Sequence, residues 1–183
     1  MNPEERAVYL TFDDGPIPEV TPWVLEVLAH YDIKATFFMV GDNIRKHPKE
    51  FEMVKAQGHR LGNHTFNHIG GMRHGIRSYI NNVDLANEYI HTDLVRPPYG
   101  WLKWEQYFFL RRRYQLVMWD LVTRDYSKLL SPYDVVRNIH RYARNGSIIT
   151  FHDSLKSIDK LYFALPASLR FLKSQGYKFK VFD

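Results

Sequence analysis

The fold is set by the stretch Ala7-Val8-Tyr9-Leu10-Thr11-Phe12-Asp13-Asp14-Gly15-Pro16. Its apolar, β-rich first part, residues 7–12, predicts a strand that is buried on both sides. Two carboxylates follow at once, and Gly15-Pro16 then stops the strand. Adjacent like charges repel each other unless a cation or a proton is shared nearby. The pair Asp13-Asp14 therefore predicts a cationic partner elsewhere in the chain.

Strand and helix patterns alternate about seven times along the 183 residues. The predicted strands occupy residues 7–12, 35–40, 60–63, 94–96, 116–119, 147–151 and 178–182. Helical patterns fill the intervals, beginning at Thr21-Pro22, where threonine is expected to cap a helix whose first residue is proline. Such alternation predicts an α/β fold with parallel strands, because each helical crossover returns the chain in the same direction. We expect one domain over residues 1–183, and the periodicity leaves a small closed barrel and an open sheet as alternatives.

Composition excludes several classes of protein. The chain has no cysteine, which rules out disulfides and thiolate metal sites. It has no apolar run long enough for a transmembrane helix, and Met1–Arg6 is too short and polar for a signal peptide, so we expect a cytoplasmic protein unless an export segment was removed. The net charge of +5 is mild. Arg111-Arg112-Arg113 is read as a solvated helix end and not as a nucleic-acid contact, and a monomer is favoured.

Ionisable side chains follow five of the predicted strands. They are Asp13 and Asp14, His64 and His68, Arg96, Asp120 and Asp125, and His152. The carboxyl ends of parallel strands lie at one edge of the sheet, where α/β folds build their sites. We therefore expect these side chains to converge on one active site.

The two histidines of His64-Thr65-Phe66-Asn67-His68 are four residues apart. On a helical turn they would share a face and could bind one metal ion, although such pairs are also common on solvated surfaces. Beside an Asp-Asp turn, two imidazoles and one carboxylate predict a three-ligand site with open positions. Zn²⁺ suits these donors best, and Co²⁺, Ni²⁺ and Mn²⁺ are alternatives.

Arg96-Pro97-Pro98-Tyr99-Gly100 predicts a rigid turn that carries a guanidinium. Arg96 could pair with a carboxylate and fix its geometry, or it could face solvent. Since proline has no N–H, Tyr99 and Gly100 supply the free backbone donors of this turn. Such a donor can stabilise an oxyanion.

Five segments together resemble the motifs of the polysaccharide deacetylases, which are carbohydrate esterase family 4 with the NodB homology domain. The segments are Thr11–Pro16, His64–His68, Arg96–Gly100, Trp119–Tyr126 and Ile149–Asp153. They match in order and spacing and cover nearly the whole chain. The resemblance implies a distorted (β/α)7 barrel, with its active site at the carboxyl ends of the strands, and metal-dependent removal of acetyl groups from sugar polymers.

The resemblance also implies a role for each residue of the first three motifs. Asp13 resembles the general base of the family, and Asp14, His64 and His68 resemble its metal ligands. Arg96 is similar to the arginine that tethers the base. The backbone N–H of Tyr99 is implied as the oxyanion donor.

The last two motifs supply the acid and depart from the family pattern. His152 resembles the general acid, and Asp125 resembles the carboxylate that orients it. The fourth motif, Val122–Tyr126, lacks its usual first acid, and Tyr126 replaces the tryptophan expected to wall the acetyl pocket. The change concerns the substrate preference more than the chemistry. Trp101 and Trp104, just after the Arg96 turn, are candidates for sugar contact, whereas Trp119 is expected in the core.

The sequence predicts a hydrolase that deacetylates N-acetylated sugars of the chitooligosaccharide or peptidoglycan N-acetylglucosamine type. An O-acetyl esterase acting on a polymer such as xylan would use the same site. A non-catalytic carbohydrate-binding relative would need a damaged site, but every ligand and both proton-transfer groups are present. A purely structural α/β domain without metal is the remaining alternative.

Overall fold

The computed structural model describes residues 6–183, so most of the Met1–Arg6 segment lies outside the described residues. Eight strands are present among them. They are β1 (Ala7–Asp13), β2 (Thr36–Met39), β3 (Arg60–Asn63), β4 (Leu94–Val95), β5 (Gln115–Leu116), β6 (Leu121–Val122), β7 (Ile148–His152) and β8 (Lys178–Lys180).

Seven helices connect the strands in the described part of the chain. They are α1 (Thr21–His30), α2 (Gly41–Lys46), α3 (Pro48–Ala56), α4 (Ile76–Ile90), α5 (Trp104–Leu110), α6 (Pro132–Tyr142) and α7 (Ile158–Ser174). Short 3₁₀ turns lie at Gly71–Arg73 and Pro98–Gly100. Within residues 6–183, no helix is both long and apolar enough to cross a bilayer.

All strand pairs are parallel, as the alternation predicts. The sheet has the order β5-β4-β3-β2-β1-β7-β6, and β8 pairs with the first residues of β1. The terminal strands β5 and β6 are not paired with each other in the described residues. The expected α/β barrel is therefore a curled parallel sheet that is not closed by strand pairing.

The predicted strand over residues 116–119 is wrong. The chain instead forms two short strands, β5 and β6, which lie at opposite ends of the sheet. Asp120 accepts a hydrogen bond of 2.6 Å from the Ile148 N–H, which fixes the start of β6 beside the start of β7. The sequence pattern missed the crossing because Met118-Trp119-Asp120 contains neither Gly nor Pro to mark a turn.

Strand β1 runs through the centre of the main core and is buried on both sides, as predicted. Val8, Leu10 and Phe12 on one face and Thr11 on the other have no exposed surface, and the Phe12 ring stacks on Phe37 at a centroid distance of 4.9 Å. The apolar faces of α1 and α7 cover this core. A rigid, fully packed strand thus carries the Asp13-Asp14 turn at its carboxyl end.

Candidate metal and catalytic site

The backbone at the end of β1 sends the two carboxylates to different surroundings. Asp13 is the last residue of the strand and is only 3% exposed. At Asp14 the chain adopts a positive φ of 86°, which turns its side chain away from the line of the strand. The Asn43 side chain donates a 2.7 Å hydrogen bond to the Asp14 carbonyl and holds this turn in place.

Asp14, His64 and His68 form a compact group of potential metal ligands. One ligand atom from each lies within 4.8 Å of the others, with Asp14 Oδ1 at 3.3 Å from His68 Nε2 and 3.8 Å from His64 Nε2. His64 Nδ1 donates to the Arg96 carbonyl at 2.7 Å, so its Nε2 lone pair points to the group. The donor types and the fixed tautomer fit a divalent metal ion.

The histidine pair does not lie on a helical turn, contrary to the sequence-based expectation. The segment that follows β3 is irregular, with positive φ angles of 63° at Thr65 and 53° at His68. Asn82 Oδ1 on α4 accepts from the Phe66 N–H and the Asn67 N–H and fixes this segment. Two left-handed residues bring the imidazoles to one side without a helix.

The protonation states of this group suit a metal. Burial disfavours the charged form of Asp14, but the His68 hydrogen bond and the positive potential of nearby His64 and His152 outweigh burial and lower its pKa to about 2. Burial lowers the pKa of His64, and the nearby carboxylate of Asp13 only partly opposes this effect. An ionised carboxylate and a neutral imidazole are the forms that coordinate metals.

Arg96 pairs with Asp13 and does not face solvent. Its Nη1 donates to Asp13 Oδ1 at 2.7 Å, and both side chains are almost completely buried. Nη1 also donates to the Thr11 hydroxyl, while Nε and Nη2 donate to the carbonyls of Val117 and Met118. The carboxylate of Asp13 is thus held in one orientation, with its second oxygen 4.0 Å from His64 Nε2.

His152 and Asp125 form a second pair at the cavity, in which Asp125 is completely buried and His152 is partly buried. His152 Nδ1 donates to Asp125 Oδ1 at 2.8 Å, and the His152 backbone N–H donates to Asp125 Oδ2 at the same distance. Burial of His152 opposes its charge, yet the hydrogen bond and the negative charge of Asp125 outweigh burial and raise its pKa to about 9. The imidazole is therefore equipped to be a proton donor near neutral pH.

The turn after Arg96 leaves one backbone donor free. The Gly100 N–H donates to the Pro97 carbonyl at 3.1 Å, so the expectation that it would be free is wrong. The Tyr99 N–H has no acceptor among residues 6–183. Tyr99 has a positive φ of 62°, and its ring meets His68 edge-on at 5.0 Å. The residue that carries the free N–H thus lies in contact with a member of the ligand group.

The side chains surround one cavity of about 640 Å³. Tyr126 forms a wall, with its ring edge-on to His152 at 4.7 Å. Trp119 is a second wall, so its expected place in the core is wrong. Trp101 and Trp104 do not line this cavity, and their exposed fractions are 69% and 75%. Tyr126 and Trp119 thus line the cavity, whereas the two tryptophans after the turn lie outside it.

Asp120 is the one strand-end acid that does not join the site. It lies at the amino end of β6, where it accepts from Ser147 Oγ and from the Ile148 N–H. Asp125, five residues later, follows the carboxyl end of β6 and reaches His152. The prediction failed for Asp120 because one strand was assumed where two exist.

The sequence did not predict a role for Asp153, whose hydrogen bonds hold the Asp13-Asp14 turn in place. Its N–H donates to the Asp13 carbonyl, and its Oδ1 accepts from the Gly15 N–H at 3.0 Å. The Thr21 hydroxyl donates to Oδ2 at 2.7 Å, so Thr21 does not cap α1 as predicted; Val20 is the N-cap. Burial raises the pKa of Asp153 to about 8, although hydrogen bonds from Thr21 and Gly15 oppose this shift. The sequence did contain a signal for this role, because Asp153 is a carboxylate that directly follows His152 at the end of a buried strand.

Similarity to known proteins extends over most of the chain. The family model described as "Polysaccharide deacetylase" matches residues 1–105. A peptidoglycan-N-acetylglucosamine deacetylase of Bacillus cereus is 31% identical over 96% of this chain and 85% of its own length. A chitooligosaccharide deacetylase of Sinorhizobium fredii is 36% identical over 80% of this chain and 72% of its own length. The solved structure of a peptidoglycan N-acetylglucosamine deacetylase, Bc1960, superposes with a TM-score of 0.88 at 29% identity, covering 97% of this chain and 86% of that one.

Proposed function

The chain belongs to the polysaccharide deacetylase family, and from this premise we propose that it is a metal-dependent hydrolase of N-acetylated sugars. The observation that carries the proposal is one cavity lined by the ligand group, Asp13 and His152. Asp13 is held by Arg96 and His152 by Asp125. A base and an acid are thus held in the same cavity as a metal-binding group.

The metal is proposed to be Zn²⁺, held by Asp14, His64 and His68. Two nitrogen donors and one oxygen donor suit zinc, and Co²⁺, Ni²⁺ or Mn²⁺ would fit the same set. When bound, such an ion lowers the pKa of a water molecule and polarises a carbonyl oxygen. Three protein ligands leave coordination positions open for a water and a substrate.

The residues of the chain then divide the proton transfers. Asp13 accepts the proton of the attacking water, and its bond to Arg96 keeps the carboxylate in reach. The free Tyr99 N–H is a donor for the oxyanion that develops on the acetyl group. His152 donates a proton to the departing amine, while Asp125 fixes its tautomer.

The proposed substrates are N-acetylglucosamine units of chitooligosaccharides or of peptidoglycan, as in the names of the relatives. O-acetyl esterase activity on a polymer such as xylan would need the same groups, except that the leaving alcohol needs less help from His152 than an amine does. The cavity wall at Tyr126 is where the acyl group and its sugar would be selected.

The test is acetate release by the purified protein after chelation and after reconstitution with each of the four metals. N-acetylated chitooligosaccharides, peptidoglycan fragments and O-acetylated xylan are compared. We expect activity on the N-acetyl substrates to disappear with the chelator, to return best with Zn²⁺, and to be absent from His64→Ala, which loses a ligand. His30→Ala is the matched control, because His30 is an exposed histidine outside the cavity.

Three results would contradict the proposal. A chelated protein that keeps full activity would remove the metal from the chemistry. If the metal-loaded protein binds chitooligosaccharides but releases no acetate, it is a non-catalytic carbohydrate-binding relative. Preferential release from xylan would support the esterase alternative.

A further inference from the structure

Helix α5 and the turn after it present a surface that the proposed chemistry does not use. We call it the α5 ridge and define it by its exposed aromatic and cationic side chains. These are Trp104, Tyr107, Phe108, Phe109, Arg111 and Arg112. The opposite side of the helix anchors it, since Gln106 and Leu110 are completely buried. The buried side chains therefore hold the helix in place, and the aromatic rings of the ridge are exposed to solvent.

Three rings of the ridge, those of Trp104, Tyr107 and Phe108, form one contiguous patch. Trp104 stacks near Phe108 with the ring centroids 6.3 Å apart, and Tyr107 meets Phe108 at 5.5 Å. Phe108 and Phe109 are each 51% exposed although they carry no polar group. Contiguous exposed apolar surface of this kind marks an interaction site.

The charge of the ridge favours an anionic partner. The guanidinium of Arg111 lies over the Tyr107 and Phe108 rings, and that of Arg112 lies over Phe109. In the described part of the chain, Arg111 and Arg112 form no ion pair, whereas the neighbouring Arg113 is paired with Asp84.

A second cationic and apolar element lies beside α5. Gln106 Nε2 donates to the carbonyls of Gly71 and His74 and so ties the Gly71–Arg73 turn to the helix. This turn exposes Met72, at 56%, and Arg73. The ridge itself combines large apolar side chains with the cations Arg111 and Arg112, and Glu105 is the acidic residue of the helix.

The geometry of the rings favours a lipid surface over a glycan. The Trp104 and Phe108 rings are inclined to each other by 29°, but the Tyr107 ring is inclined by 88° to Trp104 and by 69° to Phe108, so the three rings together do not form one flat face for stacking on a sugar. Phenylalanine also cannot hydrogen-bond sugar hydroxyls. Inclined apolar rings with arginines beside them suit the boundary between acyl chains and phosphate headgroups.

We propose that the α5 ridge docks the protein peripherally on an anionic lipid bilayer. Trp104, Phe108 and Phe109 enter the interface, and Arg111 and Arg112 contact lipid phosphates. A shallow cavity of about 290 Å³ joins the ridge to the Tyr99 turn, with Pro97 and Gly100 on one side and Trp104 and Tyr107 on the other.

The test is co-sedimentation of the metal-loaded protein with phosphatidylcholine vesicles, with and without phosphatidylglycerol. We expect binding to the anionic vesicles that weakens as salt is added, because surface charges are screened. Arg111→Gln combined with Arg112→Gln should lower the partition coefficient roughly fivefold per charge. Phe108→Ser combined with Phe109→Ser should lower the partition coefficient at every salt concentration, because the apolar contribution of these rings is not screened by salt.

The matched control is Tyr133→Ser combined with Phe163→Ser. These two rings are 70% and 42% exposed and contact each other at 4.6 Å, but they belong to α6 and α7. The control should bind vesicles like the unsubstituted protein. All variants should keep their hydrolysis rate on a soluble oligosaccharide, because none of the substituted residues lines the catalytic cavity.

Three outcomes would overturn the proposal. The first is no binding to anionic vesicles, and the second is an equal loss of binding in the ridge and control variants. The third is a different partner, seen as ridge-dependent retention on soluble polygalacturonate without vesicle binding, or as a ridge-dependent dimer in light scattering. Vesicle binding does not need turnover, so its failure is separate from a failure of the proposed function.

Discussion

The backbone conformation of Asp14 directs the carboxylates of Asp13 and Asp14 to different surroundings. Asp13 continues the strand into a buried contact with Arg96. The positive φ at Asp14 directs its carboxylate to His64 and His68 instead. The electrostatic conflict seen in the sequence is resolved because each acid has its own cationic or metal-binding surroundings. One can act as a base while the other is a ligand.

Asp125 should set the alkaline limit of activity through His152. A general acid must be protonated, so kcat/KM is expected to fall as pH rises through the pKa of His152, which Asp125 helps to raise to about 9. Asp125→Asn removes the negative charge and should move this limb to lower pH. Tyr126→Phe keeps the ring beside His152 and should leave the limb in place. Superimposable pH profiles for the Asn variant and the unsubstituted enzyme would refute the pairing.

Asp153 should support metal binding without touching the metal group. Asp153→Ala removes the acceptors of the Gly15 N–H and the Thr21 hydroxyl, which leaves two buried donors unpaired at a cost of about 1–3 kcal/mol each. The turn of Asp14 should loosen, and chelator competition should show weaker metal binding. Asp153→Asn keeps an oxygen for Gly15 and should restore part of the affinity. Unchanged metal affinity in Asp153→Ala would contradict this role, because the turn would then keep its geometry without the Asp153 side chain.

At the scale of elements, rigid strands carry strained connections at their carboxyl ends. Positive φ angles occur at five non-glycine residues next to the cavity. They are Asp14, Thr65, His68, Tyr99 and Arg124. Such conformations cost free energy and persist where the surroundings enforce them, as Asn43 and Asn82 do here. The strands place these connections at one edge, and the unusual backbone angles then aim the functional groups.

Helix α6 should depend on its capping box for stability and not for activity. Ser131 Oγ accepts from the Asp134 N–H at 3.2 Å, and Asp134 Oδ2 accepts from the Ser131 N–H at 2.9 Å. Ser131→Ala should lower the free energy of unfolding by about 1 kcal/mol in urea titrations. Ser78→Ala, at an exposed position in α4, should change it by less than about 0.5 kcal/mol. Lost activity in the Ser131 variant would contradict the separation of α6 from the site.

The sequence predicts elements better than it predicts connections. The buried β1 and the parallel sheet follow from periodicity, and the ligand group follows from residue types at strand ends. The features that escaped it include the division of one strand into β5 and β6, the role of Asp153, and the absence of a helix at His64–His68. Each depends on long-range hydrogen bonds or on left-handed backbone angles. Neither leaves a periodic signal in the sequence.

At the scale of the molecule, the Arg96 side chain links separate strands of a sheet that is not closed by strand pairing. From the end of β4 it reaches Asp13 and Thr11 on β1 and the Val117 and Met118 carbonyls after β5. Its side chain is completely buried and lies over the Phe38 ring at 4.0 Å. The catalytic tether is thus also part of the core.

Arg96→Leu should destabilise the protein more than its loss of packing explains. It leaves the Asp13 carboxylate buried without its partner, and breaking a buried ion pair in this way costs about 3–5 kcal/mol. Urea unfolding of the chelated protein would measure the change. Adding Asp13→Asn removes the stranded charge and should recover part of the loss. A double variant less stable than Arg96→Leu alone would contradict this explanation.

The most direct test of the whole account compares Asp13→Asn with Asp14→Asn for bound metal and for deacetylation of a chitooligosaccharide. Asp13→Asn should retain one metal ion and lose about 10²–10⁴-fold in turnover, because only the base is removed. Asp14→Asn should lose the metal on dialysis against a chelator and turnover with it. Substantial turnover in Asp13→Asn, or tightly held metal in Asp14→Asn, would contradict the division of roles between the two carboxylates.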